Sequence, residues 1–466
     1  MVEINGSNNE AGLKRALSWW DCAGIIVGIM IGTGVFSIFP TLIAQHNVSF
    51  LMIMLVWLFG GIFALFGAMC YAELSSQFPY AGGDYTFLHK TYSSKGENIV
   101  SFLFAWSVVL IIRPSSIAAL ALILANELLK ILAFAGFSGP TAILLTAVSA
   151  TTVLTLVNIF GITVGKNIQN TITLLKIAVI VFLIGFGVSK LHSNLSHFSP
   201  LLLPYDKNPF NIMLGFWSAL VLSMWVFGGW NEAVYIAEET KSSEKNIIKA
   251  LVAGLLTVTI LYLGINFVYI QYLTPAGLAK TFSPASDLMT IWFGSKGGIV
   301  MSSLIVISAA GAINGLILTG GRMSYAIAKN YPGLNMFSSI HPYYRSPQMA
   351  LAANFFFTII LLVISKGNIG FVENLTYYTA GVFWYFFGLV ILGLMLLRRT
   401  VPKENIPYKV PFYPILPLLF LLIICGLVWS SIKFKPVETL TGMSILTLGI
   451  PLYYVLYLNV KEKGEK

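Results

Sequence analysis

Charge is what this 466-residue chain has least of: Asp, Glu, Lys and Arg together make up 10% of it, against 57% apolar residues. With a mean hydropathy of +0.82, that balance lies outside the range of soluble domains and describes a polytopic membrane protein. Cysteine is scarce as well. The three present, Cys22, Cys70 and Cys425, sit within or at the edge of apolar stretches, where thiols behave as small hydrophobes, so no disulfide framework is expected. The five histidines, His46, His89, His192, His197 and His341, fall in connections. They lack the i, i+4 spacing that puts two metal ligands on one helix face, so no metal site is expected. There is no phosphate-binding GxxxxGK loop and no GxSxG elbow, which leaves neither an ATP-driven pump nor an α/β-hydrolase supported. No catalytic residue and no cofactor is expected. Nor does any low-complexity segment or Gly/Ser/Pro linker split the chain into soluble domains.

Apolar stretches long enough for a hydrocarbon core of roughly 30 Å number twelve. They run at about residues 21–44, 49–76, 97–130, 140–160, 167–189, 211–237, 247–273, 297–328, 346–365, 371–397, 411–432 and 439–459. The segment 1–20 is polar and lacks the apolar core and small-residue cleavage site of a removable signal, so the first span is expected to be retained. The positive-inside rule places both termini in the cytoplasm, including the 461–466 tail. With that orientation Lys14, Arg15, Lys241, Lys245, Lys249, Arg398, Arg399 and most other basic residues face inward, and a smaller set, including Lys130, Lys190, Lys207 and Lys366, faces outward. The net charge of +10 is thereby explained by loops that meet an anionic inner leaflet, without nucleic acid.

Two spans are interrupted. Gly32-Thr33-Gly34 breaks the first, and Phe227-Gly228-Gly229-Trp230-Asn231 breaks the sixth. Freed backbone groups find no water in lipid, so such breaks persist only where they line a polar cavity. Broken helices in corresponding positions of two halves point to the substrate site of a secondary transporter. The expected architecture is all-α, with spans one to five and six to ten as an inverted repeat, five plus five, and the last two spans appended. At the first break the amides of Thr33, Gly34 and Val35 can bind an anion, and the carbonyls of Ile29, Met30 and Ile31 a cation. A zwitterionic amino acid supplies both. Gly28 and Gly32 also have the spacing of a close helix-packing motif. The second break adds carbonyls from Trp225, Val226 and Phe227, with Gly228 and Gly229 leaving room for a ligand. Trp225 can close over that ligand or merely pack, and Asn231 can bond the ligand or tie the broken backbone.

Lys176 lies too deep in the fifth span for comfortable snorkelling, which makes it a functional candidate. Its ammonium can replace a bound cation between the first break and the eighth span near Gly311 to Asn314. It can also act as a titrating group for coupling, or only staple helices. Arg113-Pro114 interrupts the third span, where the arginine is expected to satisfy carbonyls freed by the proline. Glu232 either faces the inward pathway or pairs with a basic loop residue. Asp84, after Pro79 and Gly82-Gly83, can cap a short helix.

At these motifs the chain resembles the amino acid/polyamine/organocation transporter superfamily, and within it the L-type amino acid transporters. The resemblance runs nearly end to end. It rests on Ile31-Gly32-Thr33-Gly34-Val35-Phe36, Cys70-Tyr71-Ala72-Glu73-Leu74, Gly82-Gly83-Asp84-Tyr85, Ile111-Ile112-Arg113-Pro114-Ser115-Ser116, Gly228-Gly229-Trp230-Asn231 with Glu238-Glu239, and Asn314-Gly315. It implies the LeuT-like inverted-repeat fold and alternating access across the inner membrane of a prokaryotic cell. It implies a substrate carboxylate on the amides of Thr33 and Gly34, and an amine on carbonyls around Met30 and Trp225 to Gly228. Lys176 matches the family's span-five lysine, which implies sodium independence. The absence of cysteine from 131–146 implies that no disulfide-linked heavy chain is needed. The expected function is exchange of small to medium neutral L-amino acids, with proton-coupled symport through Lys176 as the alternative. A channel or a membrane-embedded enzyme would not account for two breaks that match a zwitterion.

Overall fold

The computed structural model describes residues 17–37, 42, 50–79, 82–93, 98–132, 138–160, 165–190, 208–235, 237, 240–273, 278, 281, 283–328, 336–341, 344, 346–402, 404 and 406–464. They are almost entirely helical. In chain order the helices are α1 (Trp19–Met30), α2 (Gly34–Ser37), α3 (Phe50–Gln77), α4 (Asp84–Tyr92), α5 (Ile99–Ser107), α6 (Arg113–Leu132), α7 (Pro140–Phe160) and α8 (Gly165–Ser189). They continue with α9 (Pro209–Val226), α10 (Glu232–Tyr235), α11 (Ser243–Tyr272), α12 (Pro284–Ala328), α13 (Gln348–Ser365), α14 (Phe371–Thr400), α15 (Ile415–Phe434) and α16 (Pro436–Gly464). A wide turn over Val108–Ile112 joins α5 to α6 as one rod.

Ten of these helical segments are long and apolar enough to cross a membrane. Their positions follow the sequence expectation within a few residues for most spans. The first expected span differs in kind, because α1 has 12 residues and stops at Met30, after which the chain restarts as α2. Residues 38–41, 43 and 44 of that span lie outside the described residues. The eighth differs in length: α12 begins at Pro284, well before 297, and bends at Gly294, whose φ of 70° is a left-handed value that glycine tolerates. The portion before the bend holds Trp292 and Phe293 against Phe186 of α8, with ring centroids 4.9 and 5.2 Å apart.

Local chemistry sets these boundaries. Ser18 caps α1 in a reciprocal box, its hydroxyl accepting from the Asp21 amide while the Asp21 carboxylate accepts from the Ser18 amide at 2.9 Å. α9 starts with Asn208 accepting from the Phe210 amide and Pro209 at the first position, where a missing N–H costs nothing. Pro114 cannot donate to the helix, and the widened turn before it absorbs the shift in register. Ser116 Oγ donates back to the Ile112 carbonyl of the preceding turn at 2.9 Å.

Two apolar cores result. One joins α1, α3, α9, α11 and α14, and the other joins α6, α12 and α13. Trp225, at the end of α9, packs against both. Cys22 and Cys70 are buried and Cys425 is exposed, all three as free thiols.

Candidate functional site

The two helix breaks touch. A Cβ built on Gly34 would lie 2.7 Å from Cγ2 of Val226, and one on Gly229 would lie 2.6 Å from Cγ2 of Ile29. Only missing side chains allow that approach, and Gly229 also has a φ of +101° that other residues rarely adopt. Beside this crossing lies a cavity of about 130 Å³, roughly ten times the 10–15 Å³ that one water requires.

Most of the anticipated residues line that cavity: Met30, Gly32, Thr33, Gly34, Trp225, Gly228 and Asn231. α5 and α6 add Phe104, Arg113, Ser116 and Leu120, α12 adds Ala312, Leu316 and Met323, and α14 adds Thr376, Thr379, Phe383 and Trp384. Phe227 does not reach the cavity with its side chain. Its ring is fully buried and packs at a tilt against Tyr262 and Trp57, centroids 5.1 and 6.0 Å away, which leaves only its backbone near the break.

The backbone at the first break is arranged as half-helices require. Gly34 and Val35, in the first turn of α2, have no acceptor within the helix by position. Four carbonyls at and just past the end of α1 are instead met by three side chains. Lys176 Nζ donates to Gly28 at 2.9 Å, Tyr262 Oη to Met30 at 2.6 Å, and Ser308 Oγ to Ile31 and Gly32 at 3.1 and 3.0 Å. Met30 and Ile31, expected to offer their carbonyls to a cation, each already accept from the protein, so a ligand amine there shares those oxygens. At the second break the Gly228 amide donates to the Trp225 carbonyl at 3.0 Å, so that oxygen is also engaged.

Lys176 is 5% exposed and stands behind the break rather than in the cavity. It lines a separate void of about 10 Å³ with Phe36, Met301 and Ser308. Gly311 approaches it closely enough that a Cβ there would lie 3.8 Å from Nζ, so α8 does bridge α1 to α12. Asn314 has a different partner, accepting from Asn158 Nδ2 at 2.7 Å.

On the side of the crossing from which α10 departs, buried polar groups form a network that the sequence did not disclose. Asp84 caps no other residue's amide as its main role. Its carboxylate accepts hydrogen bonds from Tyr71, Tyr235 and Asn231 (Nδ2 at 3.3 Å for Asn231). Asn231 thus ties the broken backbone to α4. Arg113 and Glu232 form a two-point ion pair, Nη1 to Oε1 at 2.8 Å and Nη2 to Oε2 at 3.1 Å, with both side chains 5% exposed. The arginine thus serves no proline-freed carbonyl, which corrects that expectation, while the glutamate lines the cavity and pairs within the bundle instead of with a loop. Tyr262 and Ser308 had been missed because a lone hydroxyl in an apolar helix carries no spacing signal.

The whole of this arrangement falls within residues 17–456, which match the family model described as amino acid permease. The chain belongs to the amino acid permease family. The permease is 29% identical to the serine/threonine exchanger SteT of Bacillus subtilis (strain 168), over 97% of this chain and 98% of that protein. It is 28% identical to the b(0,+)-type amino acid transporter 1 of Mus musculus, over 94% of this chain and 86% of the relative. Identity to the large neutral amino acids transporter small subunit 2 of Mus musculus is 28%, over 99% of this chain and 85% of the relative. The permease is therefore a multi-pass membrane transporter of amino acids, consistent with its ten helical segments long and apolar enough to cross a membrane.

Proposed function

We propose that the permease is a sodium-independent exchanger of small to medium neutral L-amino acids, working by alternating access. The observation that carries this reading is the Lys176 ammonium at 2.9 Å from the Gly28 carbonyl. A fixed cation already occupies the back of the broken helix, where a free cation would otherwise be needed to balance the carbonyl ends. The hydroxyls of Ser308 and Tyr262 complete the coordination of the same helix end. Exchange is also in keeping with the printed name of the Bacillus subtilis relative, a serine/threonine exchanger.

In this reading the substrate carboxylate meets the amides of Thr33 and Gly34. The amine meets backbone around Met30 and at Trp225, Phe227 and Gly228, with Trp225 as the lid and Asn231 holding the second break. Repeat one spans about 21–189 and repeat two about 211–397, with the helices of 411–459 appended, twelve spans in all. The repeats insert in opposite orientations, and both termini are cytoplasmic, in the cell's inner membrane. α1 with its continuation past the break is the first span and α16 the twelfth. No disulfide-linked partner chain is needed.

The test is binding of L-serine to purified permease by calorimetry in sodium and in choline buffer. Equal affinity in both is expected. An absolute requirement for sodium would overturn the assignment of Lys176 as the resident cation.

A further inference from the structure

We propose that the buried Arg113–Glu232 pair is the charge filter of the cavity: each partner neutralises the other, and a side chain of either sign that enters finds no counter-charge. This rests on the reading of the cavity as the amino acid site.

Among the described residues lining the cavity, three carry formal charge: Arg113, Glu232 and Asp84. Asp84 is occupied by three neutral donors from Tyr71, Tyr235 and Asn231. Arg113 cannot shed its proton in a protein, so it needs an anion at all times. Glu232 supplies one in the planar, two-point geometry that a guanidinium matches best. The arginine has little freedom to leave. Its stem runs over Gly320, where a Cβ would stand 3.6 Å from Cγ and Cδ, and its guanidinium lies 5.7 Å from the centre of the Tyr235 ring.

The pair joins residues 119 positions apart on α6 and α10, so it is not the incidental product of helical spacing. Most of the remaining lining is apolar or small, with Ile112, Leu120, Val221, Ala312 and Leu316 among it. A substrate carboxylate or ammonium at the side-chain end would lose its water there and gain nothing. Removing one partner changes that. Without Glu232, the guanidinium fork presents itself to an incoming carboxylate; without Arg113, the Glu232 carboxylate presents itself to an ammonium. A staple with no contact to substrate would affect stability and leave selectivity as it was.

The experiment is competition by unlabelled amino acids against bound radiolabelled L-serine on purified permease, with thermal unfolding recorded for each variant. In the wild type, serine competes while aspartate, glutamate and lysine do not. In Glu232→Gln, aspartate and glutamate should gain at least about tenfold relative to serine, and in Arg113→Gln lysine should gain similarly. Arg113→Lys keeps both charges but breaks the two-point pairing, so it should relax the rejection of aspartate. Folded variants that keep wild-type discrimination overturn the proposal, as do folded variants that bind no amino acid of any charge. If the Gln variants do not fold, unchanged discrimination in Arg113→Lys overturns it. A wild-type protein that binds none of these amino acids refutes the transport reading itself, which is a separate outcome.

Discussion

Gly34→Ala is the substitution for which the crossing of the two breaks makes the sharpest demand. The added Cβ would stand 2.7 Å from Cγ2, 3.0 Å from Cγ1 and 3.2 Å from Cβ of Val226. Carbon atoms prefer separations of about 3.5–4.0 Å, so α2 and the end of α9 must part by roughly an ångström. Val226 is β-branched and held to one rotamer in a helix, so it cannot swing aside. Overpacking of this kind costs about 1–3 kcal/mol, a factor of roughly 5–150 in the folding equilibrium. Gly32→Ala is the matched control. Its nearest neighbours would be the Ile29 carbonyl at 3.6 Å and Ala312 Cβ at 3.7 Å, ordinary contacts that ask nothing of the backbone. The assay is the thermal midpoint of the purified protein. Gly34→Ala should fall clearly below Gly32→Ala, and Val226→Ala added to Gly34→Ala should recover part of the loss, since only the Cβ contact at 3.2 Å remains. Equal midpoints for the two single variants would refute the close approach of the breaks.

Lys176→Ala removes a charge-assisted hydrogen bond to Gly28, worth about 1.5–3 kcal/mol; exchange should drop roughly 10–150-fold in a protein that still folds, measured as counterflow into vesicles. Tyr262→Phe deletes the donor to Met30, but that carbonyl retains the Gly32 amide at 2.7 Å, so the loss should stay near 1 kcal/mol by thermal unfolding. Glu127→Ala, at 1% exposure, strips Ser286 and Ser302 of the carboxylate they reach at 3.3 and 2.8 Å and should destabilise by about 1–3 kcal/mol. His89 lies on α4, outside the spanning helices, half-buried, with burial first and Lys90 second pushing its pKa below 6.5. The unfolded chain therefore takes up that proton first, so His89 contributes stability above the ordinary histidine value that is lost as pH falls through its lower native value. Thermal midpoints should decline on going from about pH 7 to pH 5, and His89→Gln should lessen the decline.

Hydropathy was enough to place most of the spans, because each must bury its own backbone polar groups and so must be long and apolar. The breaks were legible for the same reason: Gly32 to Gly34 and Gly228 to Gly229 make sense in a span only at a cavity. Lys176 announced itself by depth. What escaped were partnerships between distant residues. Nothing in Arg113-Pro114 specifies that its counter-ion stands at Glu232, and nothing in Gly82-Gly83-Asp84 specifies two tyrosines and an asparagine as partners of the carboxylate. Phe227 illustrates the limit within a motif: its backbone belongs to the break, while its ring is drawn to Trp57 and Tyr262. The early start of α12 was hidden because the stretch before Gly294 is amphipathic and interrupted by polar residues, which hydropathy reads as loop.

Uptake of radiolabelled L-serine into proteoliposomes in sodium-free buffer, with and without unlabelled amino acid inside, tests the central claim most directly. Uptake that appears only when the vesicles are preloaded is the predicted result, since exchange returns the breaks to their starting state only with substrate bound. Accumulation in empty vesicles that grows with an inward proton gradient would contradict the account and make the permease a symporter.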